Sequence, residues 1–134
     1  MLEKNPNKVK IVFKHFPIRS HKFAVQAAVA AMAAGRQAKF WDFHDELFNN
    51  YDRLNEDKVQ EIATRLNLNK AQFEKDRQDP LLLEQIKYDF NEGIRIGVNS
   101  VPSVFVNGRK LKERSLNGFQ ALIDKELESL KQKK

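Results

Sequence analysis

The hydrophobic period changes three times along this chain, and that alternation limits the folds open to it. In "KVKIVFKHF" (residues 8–16) Val9, Ile11 and Phe13 alternate with Lys10, Val12 and Lys14, the period-two pattern of a strand, which Pro17 stops. Helical spacing follows through four or five segments up to Gly97, and "SVFVNGRKL" then returns to strand character. The predicted order is a strand, a helical block over about residues 20–97, a hairpin turning at Asn107-Gly108, and a last helix. With neither an internal repeat nor a Gly/Ser/Pro-rich linker, it reads as one α/β domain spanning residues 1–134 with a helical insertion.

The local punctuation supports this order. Ser20 is a candidate N-cap for the Ala-rich helix and Gly35 its candidate C-cap. Phe40, Phe43, His44, Leu47 and Phe48 make an aromatic stripe directed at the core, with Trp41 off it and Asp42, Asp45 and Glu46 solvated. Asn55 or Asp57 opens the next helix, on which Val59, Ile62, Ala63 and Leu66 form the buried face and which Asn67 ends; a shorter helix starts after Asn69. Pro80 sits in the first turn of a longer one with Leu83, Ile86, Phe90 and Ile94 on its buried face and Gly97 as its stop. Ser115 caps a final helix whose apolar face is Leu116, Phe119, Leu122, Ile123, Leu127 and Leu130.

Composition narrows the chemistry. The 134 residues contain no cysteine, which rules out disulfides, thiolate metal sites and a thiol nucleophile within this sequence. His15 and His44 lack a second ligand at metal spacing and read as structural, and His21 as an exposed residue at a helix N-terminus. The most apolar window, residues 24–34, is about half the roughly 20 residues a membrane span needs. Neither a cofactor nor a metal is expected. The net charge of +6 reads as half supplied by Lys131, Lys133 and Lys134 and the rest as dispersed, so nucleic acid is not an expected partner.

Three segments taken in order carry a resemblance that covers essentially the whole chain. "VKIVFKHFPI", "AAVAAMAAGRQAKFWDFHDELF" and "GIRIGVNSVPSVFVNGRKL" are similar to the DsbA-like branch of the thioredoxin superfamily, respectively to its second core strand, the first helices of its inserted domain, and its cis-proline loop with the following hairpin. The resemblance implies thiol–disulfide oxidoreductase chemistry on extended protein substrates, outside the cytoplasm of a bacterium. It also implies a cis peptide at Val101-Pro102 and a peptide groove lined by Ser100, Val101 and Pro102, with no catalytic residue in this chain. "MLEKNPN" resembles the tail of the family's active-site helix, so the preceding strand and the Cys-X-X-Cys motif have no counterpart here.

Two functions follow as expectations. One is an incomplete member of the oxidoreductase family, redox-inactive as this chain; the other is a natural cysteine-free peptide-binding or structural module. In the resembling fold the missing strand would lie between residues 8–16 and the hairpin. Its absence predicts a compensating arrangement, of which self-association through the strand bearing Ile11 and Phe13 is the preferred form.

Overall fold

The computed structural model describes residues 4–17, 23–99, 101, 103–112 and 115–132. It divides into two compact units, one formed by Met1–Phe13 with Val98–Lys134 and the other by Lys14–Gly97.

The second unit is helical: α1 (Ala24–Gly35), α2 (Phe40–Asn49), α3 (Glu56–Arg65), α4 (Lys70–Arg77) and α5 (Pro80–Arg95). Helix α1 is its centre because Ala27, Ala30, Ala31, Ala33 and Ala34 are buried and present little side-chain bulk, and α2, α3, α4 and α5 all pack against it. Phe43, Phe73, Val59 and Ile62, all fully buried, fill the space around it, with the Phe43 and Phe73 rings 5.7 Å apart.

Side-chain caps account for three of the helix starts. Asn55 accepts from the Lys58 N–H, Asn69 from the Gln72 N–H and Asp79 from the Leu81 N–H, each satisfying a donor that the first helical turn leaves without a partner. Pro80, in the first turn of α5, lacks only an N–H that would have been left over there. Asn67 (φ 57°) and Gly97 (φ 89°) end α3 and α5 in the left-handed region.

Several expectations for this unit are corrected. Ser20 lies outside the described residues, and α1 begins at Ala24 with Phe23 at its N-cap and no side-chain cap. Gly35 is the last helical residue and Arg36 the C-cap; the reason for glycine is the approach of Phe40, whose Cβ would stand 3.3 Å from a Cβ added there. Phe48 is 72% exposed, so the α2 face closes on Phe43 and Leu47 with Phe40 half-buried. On α5 the buried positions are Leu82, Ile86, Asp89 and Gly93, whereas Leu83 and Ile94 are exposed. Three consecutive leucines, Leu81 to Leu83, offer more than one apolar stripe, and packing selects the one through Leu82.

The first unit holds the hairpin of β1 (Phe105–Val106) and β2 (Arg109–Lys110) and the final helix α6 (Leu116–Gln132). The strands pair antiparallel with Phe105 opposite Lys110 and Val106 opposite Arg109. Asn107 (φ 48°) and Gly108 (φ 83°) make the turn that two successive positive φ values allow. The Leu111 N–H donates to the Val104 carbonyl at 2.8 Å, and Leu111 is buried. Ser115 caps α6 by accepting from the Gly118 N–H, while Leu116 and Leu130, at the ends of its expected apolar face, are exposed and Ile123 is buried. Buried Asn5 exchanges two amide hydrogen bonds with Gln120, 2.9 and 3.0 Å long, which fasten residues 4–8 to α6.

The strand expected over residues 8–16 is absent. Residues 4–8 turn rather than continue a helix, with Asn7 at φ 64°, and residues 9–17 have no ladder partner among the described residues, where the sheet is the two-stranded hairpin. Alternating side chains make a segment competent for a strand, but pairing makes the strand. Ile11, Val12 and Phe13 are 45%, 61% and 39% exposed.

Candidate functional site

The loop expected to hold substrate lies in the first unit, just before the hairpin. Buried Val98 anchors its entry, Asn99 and Val101 are exposed, and half-buried Ser103 and Val104 lead into β1. Of the three expected groove residues only Val101 is described; Ser100, Pro102 and with them the Val101-Pro102 peptide lie outside the described residues. The hairpin beside this loop is held against α6 by an ion pair in which Arg109 Nε stands 2.7 Å from Glu126 Oε1, without hydrogen-bond alignment.

In the helical unit, His15 and Asp89 form a buried polar contact that sequence spacing could not show. The His15 N–H donates to Asp89 Oδ2 at 3.1 Å, and Gln85 Nε2 donates to Asp89 Oδ1 at 2.8 Å, so both carboxylate oxygens are satisfied although Asp89 is only 5% exposed. The His15 ring meets Phe40 edge-on, and Phe16 stacks on Phe90 with centroids 4.6 Å apart. Burial holds the His15 imidazole below its ordinary pKa; nearby Asp89 works against that shift and His44 with it. His44 lies half-buried over Phe40 and Trp41, and its Nδ1 is 3.5 Å from Asp45. Among the described residues, no group of three or more His, Asp or Glu side chains is arranged to hold a metal. His21 lies outside the described residues.

A second feature missed in the sequence is a shallow groove lined by Val25, Val29 and Leu83 on its apolar side and by Glu56, Glu74 and Arg77 on its polar side. Arg77 grips Glu56 through two hydrogen bonds of 2.7 Å and reaches Glu74 at 3.0 Å, with its guanidinium over the Phe73 ring. This hydrogen bonding holds the Glu56 carboxyl at a pKa of about 2. Glu74 and Arg77 are three apart on α4, but nothing in spacing announces a partner 21 residues away on α3. Arg36 likewise joins Asp76 at 3.0 Å and Asp79 at 2.8 Å, fixing the end of α1 to α4 and to the start of α5. Glu46, expected to be solvated, is paired with Arg65.

A mostly helical chain with a small two-stranded sheet among its described residues is consistent with a partial thioredoxin-like fold. A thioredoxin family model matches residues 1–125, and the chain belongs to that family. Similar proteins include the Na(+)/H(+) antiporter NhaA 3 of Salinispora tropica, 34% identical over 103 residues that make up 76% of this chain and 16% of that protein. The Na(+)/H(+) antiporter NhaA 1 of Mycolicibacterium vanbaalenii is 33% identical over 104 residues, 75% of this chain and 17% of the antiporter. A third, the Na(+)/H(+) antiporter NhaA of Herminiimonas arsenicoxydans, is 29% identical over 104 residues, 78% and 16% of the two chains. The match thus spans about a sixth of each of these relatives. Among the described residues, no helix is long and apolar enough to cross a membrane.

Proposed function

We propose that this chain is the substrate-holding part of a DsbA-like thiol–disulfide oxidoreductase domain, with Ser100, Val101 and Pro102 lining a groove for an extended peptide. The observation that carries this reading is the family match running through that loop in a sequence that has no cysteine. Dithiol–disulfide exchange needs a thiolate to attack a disulfide sulfur and a second thiol to leave. The 134 residues therefore bind and orient, while the sulfur chemistry belongs to cysteines outside them. Exposed Val101 supports the binding role, because strand-like recognition requires a segment that a substrate chain can reach.

The second reading, a natural cysteine-free peptide-binding or structural module, is favoured by relatives whose printed names are those of ion antiporters rather than thiol enzymes. The natural reading frame upstream of Met1 separates the two. An in-frame Cys-X-X-Cys supports the oxidoreductase reading, and a stop codon close upstream with no such motif overturns it in favour of the module. On both readings the pure 134-residue chain gives no thiol-dependent turnover in an insulin reduction assay; measurable turnover refutes the cysteine argument.

A further inference from the structure

The dipeptide Asn-Gly occurs twice in this chain, at residues 107–108 and 117–118, and the fold treats the two in opposite ways. Both asparagines are exposed, so solvent reaches each side chain. What differs is the main chain. Asn107 (φ 48°) and Gly108 (φ 83°) are the turn residues of the hairpin, and among the described residues the Gly108 N–H donates to no acceptor. A Cβ built on Gly108 would meet nothing within 4 Å, so the space around that residue is open. Asn117 and Gly118 instead lie in the first turn of α6, where the Gly118 N–H donates to Ser115 Oγ at 3.0 Å.

We infer that Asn107 is a self-modifying site, at which the Gly108 amide nitrogen closes on the Asn107 side chain, whereas the fold holds Asn117 out of the same reaction. The nitrogen gives its proton to solvent base and bonds to Asn107 Cγ, and the side-chain amide leaves as ammonia with a proton from water. The cyclic imide then takes up one water. Opening at Cγ gives aspartate; opening at the main-chain carbonyl gives isoaspartate, whose main chain runs through Cβ and Cγ and is one atom longer. Ring closure needs rotation about the Asn107 Cα–C bond, and at the hairpin tip that motion strains only the adjacent Val106–Arg109 pair. At Asn117 it would have to open the start of a 17-residue helix together with its Ser115 cap. Aspartate suits the turn and leaves the hairpin in place. The extra atom of isoaspartate cannot keep both Phe105 opposite Lys110 and Val106 opposite Arg109, so it loosens the hairpin. The inference rests on residues 105–118 and stands whether or not the Ser100–Pro102 loop belongs to an oxidoreductase.

Warm incubation of the full chain in mildly alkaline buffer, followed by tryptic peptide mapping with mass spectrometry, tests this, because cleavage at Arg109 puts the two asparagines on separate peptides. Conversion of Asn107 to aspartate and isoaspartate is expected to be at least about tenfold faster than that of Asn117, and to quicken as pH rises. In concentrated urea, where the folded backbone no longer distinguishes the two sites, the rates should become comparable. Ser115→Ala should speed conversion of Asn117 about fivefold, the effect of losing a cap, and leave that of Asn107 unchanged. Asn107→Gly keeps a turn-forming residue and should abolish isoaspartate at that position. Comparable rates at the two sites in the folded chain, faster conversion of Asn117, protection of both until urea is added, or a rate at Asn107 that does not respond to pH would each overturn the assignment.

Discussion

Replacing Phe43 by alanine should cost about 3–5 kcal/mol of folding stability. The ring is fully buried at the middle of α2 and lies 5.7 Å from the ring of Phe73 on α4. A phenylalanine buries about 150–250 Å², and at about 25 cal/mol per Å² this is worth roughly 4–6 kcal/mol, of which alanine keeps a minor share. The lost aromatic pair contributes about 0.5–1.5 kcal/mol more, and the cavity cannot close easily because the neighbouring face of α1 is already built of alanines. Such a cost is a large part of the 5–15 kcal/mol that stabilises a typical domain. Urea titration followed by circular dichroism at 222 nm measures it, with Phe48→Ala as the control. Phe48 is 72% exposed and should change stability by no more than about 0.5 kcal/mol. A loss below about 0.5 kcal/mol for Phe43→Ala, or comparable losses for both variants, would refute the packing described for α2.

Two further predictions concern protons. The Glu56 carboxyl, held by Arg77, should titrate in the folded protein near a pKa of about 2. The depressed value means that its contribution is present above the ordinary carboxylate pKa and is lost as pH falls toward 2. Carboxyl-detected NMR of wild type and Arg77→Met checks this, and an unchanged Glu56 midpoint in the variant would remove Arg77 as the cause. His15 has the opposite chemistry with the same sign: its folded pKa is lowered by burial, so the unfolded chain takes up the proton first and stability falls as pH drops below the unfolded value of 6.5. His15→Asn should flatten the stability profile between about pH 7 and 5; an equally steep fall in the variant would assign the dependence elsewhere.

What could be read in the sequence was whatever a few neighbouring residues decide among themselves. Asn55, Asn69, Ser115 and the Asn107-Gly108 turn each satisfy or bend a backbone only one to four residues away, and each stands where its residue type predicts. The same holds for Val59, Ile62 and Ala63, a stripe with no competing one beside it. The orientation of α5 was not legible, because Leu81, Leu82 and Leu83 leave the choice to neighbours far along the chain, and the chosen face carries Asp89, whose partner is the backbone of His15, 74 residues away. Residues 8–16 failed for a related reason: alternation describes one strand, whereas a ladder needs two. For the candidate loop, Val101 rests on the resemblance no less than Ser100 and Pro102 do; spacing and composition alone gave no reason to single out any of the three.

Where salt acts follows from how charge is divided along the chain: Lys14–Gly97 contains 13 basic and 13 acidic residues, and the hairpin-and-helix unit 11 basic and 5 acidic ones. In the helical unit three arginines are each matched by two carboxylates at short range: Arg77 by Glu56 and Glu74, Arg65 by Glu46 and Glu61, Arg36 by Asp76 and Asp79. Most of these side chains are partly exposed, and such pairs are worth about 0–1 kcal/mol each, so screening them removes little stability. The 11 basic and 5 acidic residues of the hairpin-and-helix unit repel one another on balance, and screening relieves that repulsion. Raising sodium chloride from about 0.05 to 0.5 M shortens the screening length from roughly 14 to 4 Å. The midpoint of thermal unfolding should then rise by a few degrees or stay level. A clear fall in the unfolding midpoint with salt would show that ion pairs, rather than the alanine-lined aliphatic and aromatic core around α1, hold the fold together.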